Sequence, residues 1–117
     1  MSEEEQKNFV RKFYDALDAG DSETASALFK DGTKIYLWDG QVFETQEEFR
    51  AWFEKLYSTS TDAKREIVSF KVDGNKAVVE VVLKAIKDGE EKVVNLKHVF
   101  LFEGDEVVEV EVDIVPS

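Results

Sequence analysis

The sequence predicts a single α+β domain in which three helices pack on a curved antiparallel sheet, in the element order ααββαββββ. Two observations lead to this prediction. In the first half of the 117-residue chain, apolar residues recur every three or four positions, which is typical of amphipathic helices. From residue 65 onward they alternate with polar residues, and glycine-containing turns separate the runs, which is typical of antiparallel strands.

Two predicted helices occupy the start of the chain. Ser2 and Glu5 form a capping box, and the helix that follows runs to about residue 19, where Gly20 stops it. Asp21 or Ser22 then caps a short second helix. The apolar stripes consist of Phe9, Val10, Phe13, Ala16 and Leu17 in the first helix and of Ala25, Leu28 and Phe29 in the second.

A hairpin and a third helix follow. The segment TKIYLWDGQVFE predicts two strands joined by a two-residue turn at Asp39 and Gly40. Thr45 and Glu48 form a second capping box, which begins a helix that reaches about residue 57. Its stripe of Phe49, Trp52, Phe53 and Leu56 has the spacing of a helix that buries one face.

Four predicted strands make up the second half, at residues 65–72, 76–87, 91–102 and 106–115, after the polar link STSTDA. Because side chains alternate between the two faces of a strand, the apolar parity identifies an inner face that is turned toward the core. In the last three strands this inner face carries Ala77, Val79, Val81, Leu83 and Ala85, then Val94, Leu96, His98, Phe100 and Phe102, then Val108, Val110, Val112 and Ile114. In the first strand the parity changes, so we expect a β-bulge near Ser69.

The composition excludes several classes of protein. The formal net charge of −11 disfavours a nucleic-acid partner, which needs a basic footprint. With no cysteine and one histidine, neither a disulfide nor a metal site is predicted. The acidic start MSEEEQKNF is unlike a signal peptide, and no apolar run is long enough for a membrane span. We therefore expect a cytoplasmic single domain over residues 1–117, either monomeric or a weak homodimer through Val78, Val82 and Ile86 on the outer sheet face.

Four polar residues fall at positions that are expected to face the core. Tyr14 and Asp18 lie one turn apart on the first helix, Arg65 begins the first long strand, and His98 lies on the inner face of the third. Each has a structural alternative: a hydrogen-bonded filler histidine, an arginine whose head reaches water, a packed tyrosine ring and a solvated aspartate. Pairing as Asp18–Arg65 and Tyr14–His98 would instead leave one cation and one imidazole facing a ligand held as an anion.

The element order resembles the nuclear transport factor 2-like fold, which ketosteroid isomerase, scytalone dehydratase and the polyketide cyclases share. This resemblance implies a site in a deep apolar pocket at the open end of a cone. The segments FYDALDAGD, IYLWDG, EEFRAWFEKLYST and DAKREI further resemble de novo designed luciferases on idealised scaffolds of this fold, over the full length. Tyr14, Asp18, Arg65 and His98 fall at the positions of that family's two dyads, although the strands here carry fewer histidines. The agreement of caps, apolar pattern and turns is typical of a designed sequence.

The resemblance implies oxidation of a luciferin-type aromatic substrate, the synthetic coelenterazine analogue diphenylterazine. The products would be CO2, an amide and light, with O2 as co-substrate and with neither a cofactor nor a metal. Arg65 would stabilise the anionic imidazopyrazinone core, and His98 would hydrogen-bond a ring nitrogen and assist deprotonation. The substrate-binding wall would consist of Leu37, Trp52, Leu56, Ser60, Val81, Leu83, Leu96, Val110 and Val112.

Two other functions remain open at this point. An isomerase or cyclase would need a carboxylate base in the pocket, but no inner strand position carries one, and Asp39 lies in a hairpin turn. A designed scaffold that binds small molecules without turning them over would need only the apolar pocket.

Overall fold

The computed structural model describes residues 2–116, and within them the predicted element order is confirmed. The helices and strands are α1 (Glu3–Asp18), α2 (Ser22–Ala27), β1 (Lys34–Tyr36), β2 (Val42–Phe43), α3 (Gln46–Ser58), β3 (Ser60–Asp73), β4 (Lys76–Lys87), β5 (Glu90–Glu103) and β6 (Glu106–Ile114).

The strands form one six-stranded sheet in the order β2-β1-β6-β5-β4-β3. All neighbouring strands are antiparallel except β1 and β6, which run parallel. The sheet is therefore mixed, and the prediction of a wholly antiparallel sheet is wrong at this pair. Most of the chain separates β1 from β6, so the pair is free of the antiparallel direction that a tight hairpin imposes.

The helix starts follow the predicted capping chemistry. The Ser2 hydroxyl accepts from the backbone N–H of Glu5 at 3.1 Å, and the Glu5 carboxylate accepts from the backbone N–H of Ser2 at 3.1 Å. Of the two candidate caps for α2, Asp21 is the one used. Thr45 accepts from the backbone N–H of Glu48 at 3.1 Å at the start of α3. These bonds satisfy N–H groups that a helix leaves without an internal partner.

Aromatic rings fill the space between the helices and the sheet. Phe13 of α1 makes edge-to-face contacts with Phe29, at 5.1 Å between ring centroids, and with Phe100 of β5, at 6.1 Å. Phe29 contacts Phe49 of α3 in the same geometry at 5.3 Å. These contacts fix α1 and α3 against the inner face of the sheet at one end of the cone.

Bulges change the strand pattern in β3, as expected, and in β6, where none was predicted. In β3, Ile67 pairs with Val81 and Ser69 with Glu80, so the bulge residue is Val68, which is 63% exposed. The expected bulge is thus present beside Ser69. In β6, a second irregularity brings Val107 rather than Val108 into the core, because Phe102 pairs with Val107 while Leu101 pairs with Glu109.

The segment before β3 and the hairpin also differ from prediction. The predicted link STSTDA is largely strand, because residues 60 and 61 pair with Lys87 and Ile86 at the end of β4. The hairpin strands are shorter than predicted, and residues 37–41 form the loop. In that loop the Asp39 carboxylate accepts from the backbone N–H of Gln41 at 3.1 Å, which favours a local turn over continued pairing.

Gly20→Ala is expected to lower the free energy of unfolding by roughly 2 kcal/mol. Gly20 has φ +70°, and a Cβ there would overlap the Tyr57 ring. Gly89→Ala is the matched control, because Gly89 has φ +78° with open space around it, so it measures the backbone cost alone. Urea unfolding of both variants checks this, and equal losses would show that the Tyr57 contact carries no cost.

Candidate functional site

A cavity of about 470 Å³ lies between the helices and the inner face of the sheet. Residues of α1 and α3, together with β4, β5 and β6, form its apolar wall. Its mouth, as the term is used below, consists of the residues that line the cavity and are exposed: Trp38, Lys87, Lys92, Val93 and Ile114.

Eight of the nine predicted wall residues line this cavity: Leu37, Trp52, Leu56, Ser60, Leu83, Leu96, Val110 and Val112. The ninth, Val81, is on the same inner face but is 1% exposed and belongs to the core instead. Strand parity tells which face a residue is on, but it does not tell how deep an opening reaches along that face. Val81 is therefore not part of the cavity wall, although it lies on the predicted face.

Other lining residues were not predicted. Apolar examples are Phe13, Leu17, Ile35, Trp38, Phe49, Phe53, Ala85, Val94 and Ile114, and the charged ones are Lys87 and Lys92. The sequence does contain a pattern that predicts the two lysines as lining residues. They continue the inner parity of β4 beyond Ala85 and of β5 before Val94.

His98 and Tyr14 form a buried pair. The Tyr14 hydroxyl lies 2.5 Å from His98 Nδ1, and the two residues are 3% and 5% exposed. His98 is held on the inner face between Val79 of β4 and Val112 of β6. His98 lines the cavity and Tyr14 does not, so Tyr14 contacts the imidazole on the side that is turned away from the cavity.

The hydrogen-bond requirements of the pair select one tautomer. Burial raises the pKa of Tyr14, with the charge of Arg65 acting in the opposite direction, and burial followed by Arg65 lowers the pKa of His98 from 6.5 to about 3. Both groups are therefore neutral at pH 7. If Tyr14 donates to Nδ1, only the Nε2–H of His98 is left for a ligand. The reverse arrangement would leave both the tyrosine proton and the Nε2 lone pair unsatisfied. We conclude that His98 presents an N–H donor to the cavity.

Arg65 and Asp18 form the second predicted pair. Arg65 Nη1 donates to Asp18 Oδ1 at 2.7 Å, and the Arg65 backbone N–H donates to Asp18 Oδ2 at 2.9 Å. The arginine side chain is 8% exposed, and residues 2–116 provide no hydrogen-bond partner for its buried Nε. Arg65 lines the cavity whereas Asp18 does not. The aspartate thus holds the guanidinium at Nη1 and leaves Nε without a partner among the described residues.

The charged groups of the cavity wall all have the same sign. Within the described chain, the lining contains Arg65, Lys87 and Lys92 but no aspartate or glutamate. Nor does that part of the chain place three or more His, Asp or Glu side chains where they could hold a metal ion. The site therefore combines a hydrocarbon wall with donors and cations, which suits an aromatic ligand that carries negative charge.

Tyr14→Phe is expected to lower the free energy of unfolding by about 1 to 2 kcal/mol, because His98 Nδ1 loses its buried donor. The imidazole should then no longer be restricted to one tautomer, which ¹⁵N NMR of the single histidine measures. Tyr36→Phe is the control, since the Tyr36 hydroxyl has no hydrogen bond within the described residues. Histidine nitrogen shifts that are the same in wild type and Tyr14→Phe would contradict the assigned tautomer.

The cone of three helices on a curved sheet with an apolar cavity defines the nuclear transport factor 2-like class, as predicted. Residues 10–110 match the family model of the SnoaL-like domain, so the chain belongs to the SnoaL-like family. A search of curated protein sequences finds no match. Among the helices formed by residues 2–116, none combines the length and the apolarity that a membrane span requires.

Solved structures support the same fold. An NTF2-like protein of unknown function from Burkholderia pseudomallei superposes with a TM-score of 0.85 at 19% identity, covering 98% of this chain and 92% of its own. A protein of Jannaschia sp. CCS1 assigned as a SnoaL-like polyketide cyclase gives 0.83 at 16% identity, with 94% and 85% covered. An epoxide hydrolase of M. tuberculosis gives 0.80 at 14% identity, with 95% and 83% covered. The fold class therefore includes enzymes.

Proposed function

We propose that the protein is a cofactor-independent luciferase that oxidises diphenylterazine with O2. One observation carries this proposal: an apolar cavity whose charged groups are all cationic holds an arginine whose Nε–H has no partner among the described residues and a neutral histidine N–H donor. The sequence resemblance to designed luciferases described above supports the same assignment, as do the idealised caps and turns.

Arg65 supplies the main electrostatic contribution. The imidazopyrazinone core must lose a proton before it reacts with O2, and the anion that results needs a cation in a site that excludes water. The Arg65 side chain is held by Asp18 and is largely shielded from bulk solvent, so its charge is preorganised for this purpose. Fixed donors of this kind typically contribute a few kcal/mol to a developing anion.

His98 acts as a hydrogen-bond donor in this scheme. Because Nε2 carries the proton, the imidazole assists deprotonation by lowering the pKa of the substrate and does not itself accept the substrate proton. That proton passes to water at the mouth. Tyr14 is a positioning residue, since it fixes the tautomer and the ring angle without reaching the cavity.

The oxidation balances without a cofactor. The anion transfers electrons to O2, and the new C–O bond gives a peroxide. The terminal peroxide oxygen then attacks the neighbouring carbonyl carbon, and the bond from that carbon to the ring nitrogen breaks. This closes a dioxetanone and leaves the nitrogen as an amide anion, which takes a proton after CO2 is lost. Cleavage of this ring breaks the O–O and C–C bonds, so one oxygen atom of O2 leaves in CO2 and the other becomes the carbonyl oxygen of the amide. The apolar wall of Trp52, Leu96 and Val112 shields the ring and the excited amide from water.

The chemistry of the structural relatives is less well supported by this cavity. An isomerase or cyclase requires a base that removes a proton next to a carbonyl. Within the described residues no carboxylate lines the cavity, and the Asp18 oxygens accept two bonds from Arg65.

The test is to mix purified protein with diphenylterazine in air and under argon, and to count photons. We expect light above the buffer background in air only, and ¹⁸O from ¹⁸O2 in the amide carbonyl. Val112→Trp, which fills the cavity, should lose the light, whereas Val78→Trp on the outer sheet face should keep it. If diphenylterazine binds but light stays at the background level, the protein is a binding scaffold and not a luciferase. Isomerisation of a steroid enone under argon would favour the isomerase instead.

A further inference from the structure

The mouth of the cavity is cationic although the protein as a whole is acidic. Lys87 at the end of β4 and Lys92 near the start of β5 both line the cavity, in a chain whose formal net charge is −11. Neither lysine takes part in the proposed oxidation. The neighbouring residues of this turn include carboxylates, yet within the described chain only the lysines line the cavity, so their position needs a separate explanation.

Strand geometry places these lysines far from the polar groups inside the cavity. Leu83, which pairs with Arg65, is four residues before Lys87 on the same face of β4, a separation of about 13 Å at the usual rise of a strand. Lys92 is six residues before His98 on β5, or about 20 Å. Apolar side chains, among them Ala85, Val94 and Leu96, line the wall between the two ends.

Glu90 is the carboxylate that pairs with a lysine of the mouth. Lys92 Nζ donates to Glu90 at 3.0 Å, but both side chains are largely exposed, at 53% and 73%. Such an exposed pair is weak and leaves the lysine free to bind another anion. Glu90 also pairs in register with Lys87, so it lies on the same sheet face as both lysines, although it does not line the cavity.

We propose that the mouth binds the acidic substituent of an aromatic ligand, such as a sulfonate or carboxylate, while the aromatic rings occupy the hydrocarbon wall. The cavity then has two anion-binding ends, with Arg65 and His98 inside and Lys87 and Lys92 at the mouth. This inference concerns the ligand class of the same cavity and depends on its shape and charge, not on the oxidation.

The test compares two dyes with closely related ring systems, 8-anilinonaphthalene-1-sulfonate and the uncharged N-phenyl-1-naphthylamine, by fluorescence titration in low salt. Lys87→Gln/Lys92→Gln is expected to weaken sulfonate binding about three- to tenfold and to change binding of the uncharged dye less than twofold. Glu90→Gln should strengthen sulfonate binding about twofold. Lys84→Gln/Lys97→Gln removes the same charge from the outer face and should leave both dyes unaffected.

Each alternative result overturns the inference. If the two double variants lose sulfonate affinity equally, only the total charge of the protein matters for binding. Equal losses for the two dyes in Lys87→Gln/Lys92→Gln would show that the lysine stems contribute packing, not charge. If Arg65→Met weakens sulfonate binding and Lys87→Gln/Lys92→Gln does not, the acidic group binds at the inner end of the cavity. Because dye binding needs neither O2 nor turnover, these results stand whether or not the protein emits light.

Discussion

Arg65→Met is expected to reduce the light emitted with diphenylterazine about a hundredfold or more, because the substrate anion loses the cation inside the cavity. The methionine keeps most of the apolar stem and removes the guanidinium. Photon counts at saturating substrate measure the effect. Arg50→Met is the matched control: Arg50 pairs with Glu54 at 3.0 Å on the exposed face of α3, and its loss should leave light emission unchanged.

A second variant separates the role of Arg65 in the reaction from its role in the fold. Arg65→Met alone removes the guanidinium donor of the Asp18 carboxylate, which is 24% exposed, and keeps only the bond from the backbone N–H of residue 65, at a cost of roughly 2 kcal/mol in the free energy of unfolding. Adding Asp18→Asn removes the unpaired charge and should restore most of the stability. The light should stay low in the double variant. If the double variant recovers both the free energy of unfolding and the light emission, Arg65 acts only through folding.

The features that the sequence predicted correctly are those set by local periodicity. Capping boxes, apolar stripes and strand parity each depend on residues a few positions apart, so the helices and inner faces follow from them. The two polar pairs were predictable for the same reason. Tyr14 and Asp18 are four residues apart on a helix, and His98 and Arg65 interrupt apolar faces, where a buried polar group requires a partner.

The features that were not predicted depend on the whole sheet. The parallel pairing of β1 with β6 joins segments from opposite ends of the chain, and no local pattern specifies it. The bulge that turns Val107 inward reverses the parity at one end of β6, although Val107 and Val108 are identical side chains. The depth of the cavity, which excludes Val81 and includes Lys87, depends on how the helices cover the sheet.

The free energy of unfolding is expected to fall between pH 7 and pH 5, with His98 contributing about 2 kcal/mol of the loss. The folded-state pKa of His98 is lowered from 6.5 to about 3, mainly by burial. Below pH 6.5 the unfolded chain therefore binds a proton that the folded protein does not. The stability that His98 contributes is fully present above pH 6.5 and is lost as the pH falls toward 3. Between pH 6.5 and pH 5, about 1.5 pH units, one extra proton bound by the unfolded chain lowers the free energy of unfolding by about 1.36 kcal/mol per pH unit, which gives the expected loss.

Urea unfolding of wild type and His98→Leu at pH 7, 6 and 5 tests this expectation. The readout is the dependence on pH, since His98→Leu also deprives the Tyr14 hydroxyl of its acceptor and changes the absolute stability. Carboxylates contribute equally to both proteins, and Tyr14, whose pKa is raised by burial, stays neutral in this range. The difference in slope therefore belongs to His98. Parallel curves would mean that the folded protein accepts the proton. His98 would then be a cation in the cavity at pH 5, and the neutral N–H donor would have to be withdrawn from the mechanism.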